Sequence, residues 1–214
     1  MKRILSNKKA VIFDMDGVIV DSEKFWAKSE YDVFTSLGVK GMDEFSNQTK
    51  FMTTKEVAEF WYGKHPWNNT SISDVEQMVI DKVIELITTE DCAISGIKEF
   101  IQNLRNANFK IGLATNSPSR IIPKVLQKTK MLHLFDAVAS ADFEVQGKPH
   151  PGVYFSIAGK LKVSPSDCVA IEDSTNGMLS AHSAGMSVIA FTNGNKNLSF
   201  EIADYTLHSF ENIL

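Results

Sequence analysis

Residues 11–23 read VIFDMDGVIVDSE, an apolar run, Val11-Ile12-Phe13, that ends on two carboxylates, Asp14 and Asp16, with Gly17 directly behind them. β-Branched and aromatic side chains suit a buried strand, whereas an ionised carboxylate buried without a partner loses several kcal/mol of solvation. The two acids therefore belong at the strand's end, facing something positive. Gly17 agrees with that placement, because a residue that tolerates positive φ lets the chain leave a sheet sharply and lets a ligand approach the backbone. Taken alone, the pair is equally an acid-rich turn. The rest of the chain decides between the two.

Working outward, short apolar runs recur: AVIF at 10–13, FKIGLAT at 109–115, DAVASA at 136–141, CVAIE at 168–172 and SVIAF at 187–191. Helical patterns separate them, the signature of a parallel sheet with crossover helices. Ser117-Pro118 offers a helix N-cap followed by proline, Pro151 opens a further helix, and Gly185 stops the one before it. The expected fold is a doubly wound, mainly parallel α/β core. Between the first two runs lie roughly ninety residues, far more than one crossover needs, so a segment is inserted there. Its pattern is helical. One helix is expected from Ser22 to Gly38, a second from Thr53, where Glu56 completes a capping box, and a third from Ser73 with Glu76 three residues on. The domains expected are thus a core of residues 1–17 and 91–214 and a helical cap of 18–90.

The 214 residues suffice for a sizeable core, and a formal charge of −4 gives no basic surface that would track a nucleic-acid backbone. Cys92 and Cys168 are far apart and lack metal-ligand spacing, which suggests free thiols in a reducing compartment. No apolar run approaches the ~18 residues that a membrane helix needs. A soluble, cytoplasmic monomer is expected.

In a doubly wound sheet, ligands gather at the carboxyl ends of the strands. After the first run stand Asp14 and Asp16; after the second, Thr115, Asn116 and Ser117; between the third and fourth, Lys148; after the fourth, Glu172 and Asp173. Each has an ordinary explanation by itself, as a cap, a turn or a solvated loop. Their joint arrival at one rim is harder to explain by capping. Carboxylate oxygens suit Mg2+, while lysine, a hydroxyl and helix-end N–H groups suit a phosphate. A carboxylate can itself attack phosphorus.

At this point the residues resemble the haloacid dehalogenase superfamily of phosphohydrolases over almost the whole chain. DMDGVIVDS is similar to the family's DxDG element, which implies Asp14 as nucleophile and Asp16 as acid/base. ATNS implies Thr115, GKPHP implies Lys148, and EDSTNG implies Glu172 and Asp173 at the family's acidic pair. Asn116 and Ser117 would bind phosphate. By the same resemblance Mg2+ is held by Asp14, Asp173, the backbone carbonyl of Asp16 and Glu172, and the cap closes over the substrate. The chain looks closest to the β-phosphoglucomutase-like branch and, through WYGKHPWN in the cap, to hexitol and 2-deoxyglucose-6-phosphate phosphatases. Trp61 and Lys50 are the cap residues assigned to the substrate. The mutase's cap arginine has no counterpart in KFMTT at residues 50–54, where Thr54 stands in its place, which favours hydrolysis of a phosphorylated sugar or polyol. The alternatives are mutase-type phosphoryl transfer, a non-hydrolytic phosphoaspartate receiver, C–Cl hydrolysis, and an idle sugar-phosphate-binding module. The long cap and Asp16 speak against a receiver, and the acidic pair speaks against a dehalogenase.

Overall fold

The computed structural model describes residues 1–49 and 52–211. Numbered along the chain, the elements begin with a short helix, α1 (Lys2–Leu5), and strand β1 (Ala10–Phe13). Next come the helices α2 (Glu23–Ser36), α3 (Ser46–Thr49), α4 (Thr54–Lys64) and α5 (Ile72–Thr89). Then come α6 (Ile97–Asn106), β2 (Lys110–Thr115), α7 (Ile122–Lys128), β3 (Ala137–Ser140) and α8 (Gly152–Leu161). The chain ends with β4 (Cys168–Glu172), α9 (Thr175–Ser183), β5 (Ser187–Phe191) and β6 (Tyr205–Leu207).

All six strands form one parallel sheet in the order β3-β2-β1-β4-β5-β6, so the doubly wound α/β class read from the sequence is the one observed. β1 lies inside the sheet, and its four residues are all buried, which is why they are apolar on both faces. The period of two sends Ala10 and Ile12 toward a cluster with Val153, Tyr154 and Ile157 of α8 and Met178 of α9. Phe13 points the other way, edge-on to Phe100 of α6 at 6.2 Å and to Phe135 at 6.3 Å.

Two compact units result, Met1–Asp21 with Cys92–Leu214, and Ser22–Asp91. The first boundary falls after Asp21 rather than after residue 17, because residues 18–21 stay hydrogen-bonded to the sheet unit. Gly17 N–H donates to Val20 C=O, Ile94 N–H to Ile19 C=O, and Asp21 N–H to Cys92 C=O. In the inserted unit, Thr53 and Glu56 form the capping box that opens α4. The start of α5 differs from expectation: Ser71, not Ser73, is the N-cap, and Asp74 supplies the reciprocal bond. Both serines satisfy the pattern, but only Ser71 precedes the first residue of the apolar stripe, Ile72.

Ser117 does not open a helix either. α7 starts at Ile122, with Pro123 in its first turn, and the Ser117 hydroxyl donates to Asp16 Oδ2 instead of capping a helix. Neither α6 nor β6 is expected from the sequence. α6 sits directly after the long insert, and β6, three residues long, has too little length for alternation to register. No described helix is long and apolar enough to cross a membrane.

Candidate active site

The parallel register brings the chemical groups together. Phe13 pairs with Leu113 on one side and Ile171 on the other, so one residue further along stand Asp14, Ala114 and Glu172 in adjacent strands. Thr115 pairs with Ser140 at the same rim. Asp14 and Glu172 continue the face that carries Ile12 and Ala170, the face covered by α8.

Lys148 joins them. Its Nζ donates to Asp14 Oδ1 at 2.6 Å, to Glu172 Oε1 at 2.6 Å and to Ala114 C=O at 2.9 Å, which uses all three ammonium hydrogens. The ion pairs are buried, with 5% of the lysine side chain and none of the glutamate side chain exposed. Glu172 is held further by the Tyr154 hydroxyl, which donates to Oε1 at 2.6 Å, and by the Ser174 hydroxyl, which donates to Oε2 at 3.3 Å. Tyr154 gave no signal in the sequence. It lies in an apolar stretch of α8 and reads as ordinary core.

Asp16 Oδ2 accepts from the Ser117 hydroxyl at 2.6 Å. Thr115 is buried, and its Oγ1 accepts from the Ser117 N–H at 3.0 Å, so its own hydrogen remains available to a ligand oxygen. The Asn116 side chain turns to the backbone of Lys148. Trp61, assigned to the substrate by the sequence, is only 1% exposed and packs among Phe34, Phe45 and Phe60 of the inserted unit. Neither face of its ring is open to solvent here. Lys50 lies outside the described residues.

Two glycines are dictated by the carboxylates. Gly17 has φ +77°, and a Cβ there would collide with the Asp173 carboxylate. Gly177, in the first turn of α9, leaves room for the Glu172 carboxylate, which a Cβ would overlap. Gly177→Ala is therefore expected to displace Glu172 and to destabilise the fold by about 1–3 kcal/mol, as overpacking does. Urea denaturation checks it, and an unchanged midpoint would show that Glu172 moves aside freely.

Burial raises the Asp14 carboxyl well above its ordinary value; Lys148 opposes this, while Glu172, Asp173 and Asp16 add to it. Burial works against the Lys148 ammonium too, but Asp14 and Glu172 outweigh it and hold its pKa up. Asp173 is pushed up to about 7, first by burial and then by Glu172. One lysine thus faces three carboxylates, and negative charge is left over.

That surplus is what a divalent cation matches. Oxygens of Asp14, Glu172 and Asp173 lie within 4.8 Å of one another, an all-carboxylate donor set suited to a hard ion such as Mg2+. The sign of the pH effect follows. Asp173 titrates near 7 folded and near 3.8 otherwise, so the native state holds the extra proton and loses stability as pH rises through that window. A cation relieves this only where the carboxylates are ionised. Mg2+ is therefore expected to raise the thermal midpoint by several degrees at pH 8 and little at pH 5. Equal shifts at both pH values would refute it.

A family model described as haloacid dehalogenase-like hydrolase matches residues 11–191. Hexitol phosphatase B of Escherichia coli K12 is 37% identical over 207 residues, 94% of this chain and 91% of its own length. β-Phosphoglucomutase of Bacillus subtilis is 31% identical over 205 residues, 91% of this chain and 88% of its own. Among solved structures, CbbY from Rhodobacter sphaeroides in complex with phosphate aligns with a TM-score of 0.83 over 96% of both chains; at 24% identity, that likeness concerns the fold.

Proposed function

From a chain that belongs to the haloacid dehalogenase-like hydrolase family and is a phosphatase, we propose a narrower activity: Mg2+-dependent hydrolysis of small sugar or polyol phosphates, hexitol phosphates and 2-deoxyglucose 6-phosphate among them. The observation that carries this reading is the different setting of two carboxylates two residues apart. Asp14 is bound to a lysine and surrounded by acids, while Asp16 is turned to a serine hydroxyl.

Asp14 Oδ1 is anchored by Lys148, and the second oxygen attacks phosphorus in line to form an aspartyl phosphate. As the P–O bond to the sugar breaks, Asp16 gives its proton to the departing oxygen. In the second half Asp16 takes a proton from water, whose oxygen attacks phosphorus and returns Asp14 as a carboxylate. The Thr115 hydroxyl holds a phosphoryl oxygen and the Lys148 ammonium, its hydrogens already given to Asp14, Glu172 and Ala114, offsets the phosphoryl charge through space, so that catalysis is mainly positioning and charge neutralisation. Mg2+, bound by Asp14, Asp173, the Asp16 carbonyl and, alongside Lys148, Glu172, would supply the remaining positive charge. Tyr154 and Ser174 keep Glu172 oriented for that shell.

Hydrolysis is preferred to phosphoryl transfer between two positions of one sugar because the KFMTT stretch has threonine, not arginine, at residue 54. Lysine at residue 50 lacks the bidentate fork that a second phosphate favours. The test is a panel of sugar and polyol phosphates with and without Mg2+, run beside β-glucose 1-phosphate with a bisphosphate primer. Phosphate release from hexose and hexitol 6-phosphates is expected, with negligible glucose 6-phosphate formed from the 1-phosphate. Efficient isomerisation with little phosphate release would sink the reading.

A further inference from the structure

We infer that Asn116 is a positioning residue that sets Lys148, acting on that lysine's backbone rather than on the phosphate; the inference rests on the phosphatase activity of the site. The Lys148 N–H donates to Asn116 Oδ1 at 2.8 Å, and Asn116 Nδ2 donates back to the Lys148 C=O at 3.3 Å. A side-chain amide thus pairs with one backbone residue as a neighbouring strand would. The other end of Lys148 is referenced to the same strand, since Nζ donates to Ala114 C=O. Ala114 and Asn116, two residues apart at the end of β2, bracket the lysine between backbone and ammonium. The ammonium is thereby aimed at Asp14, although residues 144–151 form a loop without a strand of their own.

Gly147 gives independent support. A Cβ there would sit 3.0 Å from Asn116 Oδ1 and 3.1 Å from its Nδ2, closer than such contacts normally come, while its backbone is outside the left-handed region that demands glycine. A side chain at this position would push the Asn116 amide aside by a few tenths of an ångström. Gly147→Ala should spoil the pairing without touching Asn116 itself.

The experiment compares Asn116→Ala, Gly147→Ala and the double variant with the parent chain. The readouts are steady-state hydrolysis of a good-leaving-group phosphomonoester and NMR hydrogen exchange at the Lys148 amide. Each single variant is expected to lower kcat by roughly tenfold to a hundredfold with KM changed far less, as a displaced catalytic group does. Exchange at the Lys148 amide should quicken by about tenfold or more as its hydrogen bond is lost. The double variant should be no worse than Asn116→Ala, because the added methyl then meets no amide. A fall in activity with Lys148 exchange unchanged would overturn the inference and make Asn116 a direct substrate contact. Faster exchange with full turnover, or no effect of Gly147→Ala on either readout, would overturn it as well. If Asn116→Ala does not fold, Gly147→Ala alone decides. Absence of turnover in the parent chain would count against the phosphatase assignment instead, which separates the two failures.

Discussion

Asp14→Asn is expected to lower phosphate release by about 10^4-fold or more, since an amide is neither a competent nucleophile nor a source of negative charge for a cation. The structure lets this be separated from misfolding. Asp14 is buried and its carboxyl is raised by burial and by three neighbouring acids, so its ionised form opposes the fold. A neutral isostere removes that opposition and leaves Lys148 paired to Glu172. The variant should thus melt no lower than the parent at pH 8 while releasing almost no phosphate. Near-parental turnover would refute the assignment of the nucleophile, and a melt many degrees lower would show that Asp14 is needed for folding.

Lys148→Met should have the next largest effect, on two measurements at once. Turnover is expected to fall by about 10^3-fold, the loss of a preorganised charge at the reacting phosphoryl group. Stability is expected to fall as well, because Asp14 and Glu172 lose their common buried cation. Removing one partner of a buried pair costs about 3–5 kcal/mol. The sign of its pH dependence is set by the carboxylates: raised pKa values mean that acid refills the vacated charge with protons, so the deficit should be large at pH 8 and shrink toward pH 5. Urea midpoints at the two pH values check this. A deficit that grows on acidification would mean that Lys148, rather than the acids, carried the strain.

What could be read from the chain was governed by periodicity and by register. Five strands and the rim that gathers Asp14, Thr115, Lys148 and Glu172 follow from apolar runs that end on polar groups, because a parallel sheet aligns the ends of its strands. The side-chain partners could not be read, since they depend on which face each residue takes. Tyr154 looks like core because it is core, with only its hydroxyl at the site. Ser117 looks like a cap because serine beside proline usually is one; its use by Asp16 depends on two loops meeting. For Trp61 the sequence leaves both a sugar platform and cap packing open, because the aromatic cluster that covers it is assembled from α2, α4 and the segment between them.

The central position of β1 also has a consequence for how the chain is made. The strand that leads into Asp14 is synthesised well before its partners, residues 110–113 and 168–171. Contacts of such wide sequence separation form slowly, because the loop they close is entropically costly. On the ribosome, the inserted helices emerge complete while β1 still has no edge to pair with. Asp14 and Asp16 therefore remain hydrated until late in synthesis, and the apolar VIF segment waits exposed, the natural target for a chaperone.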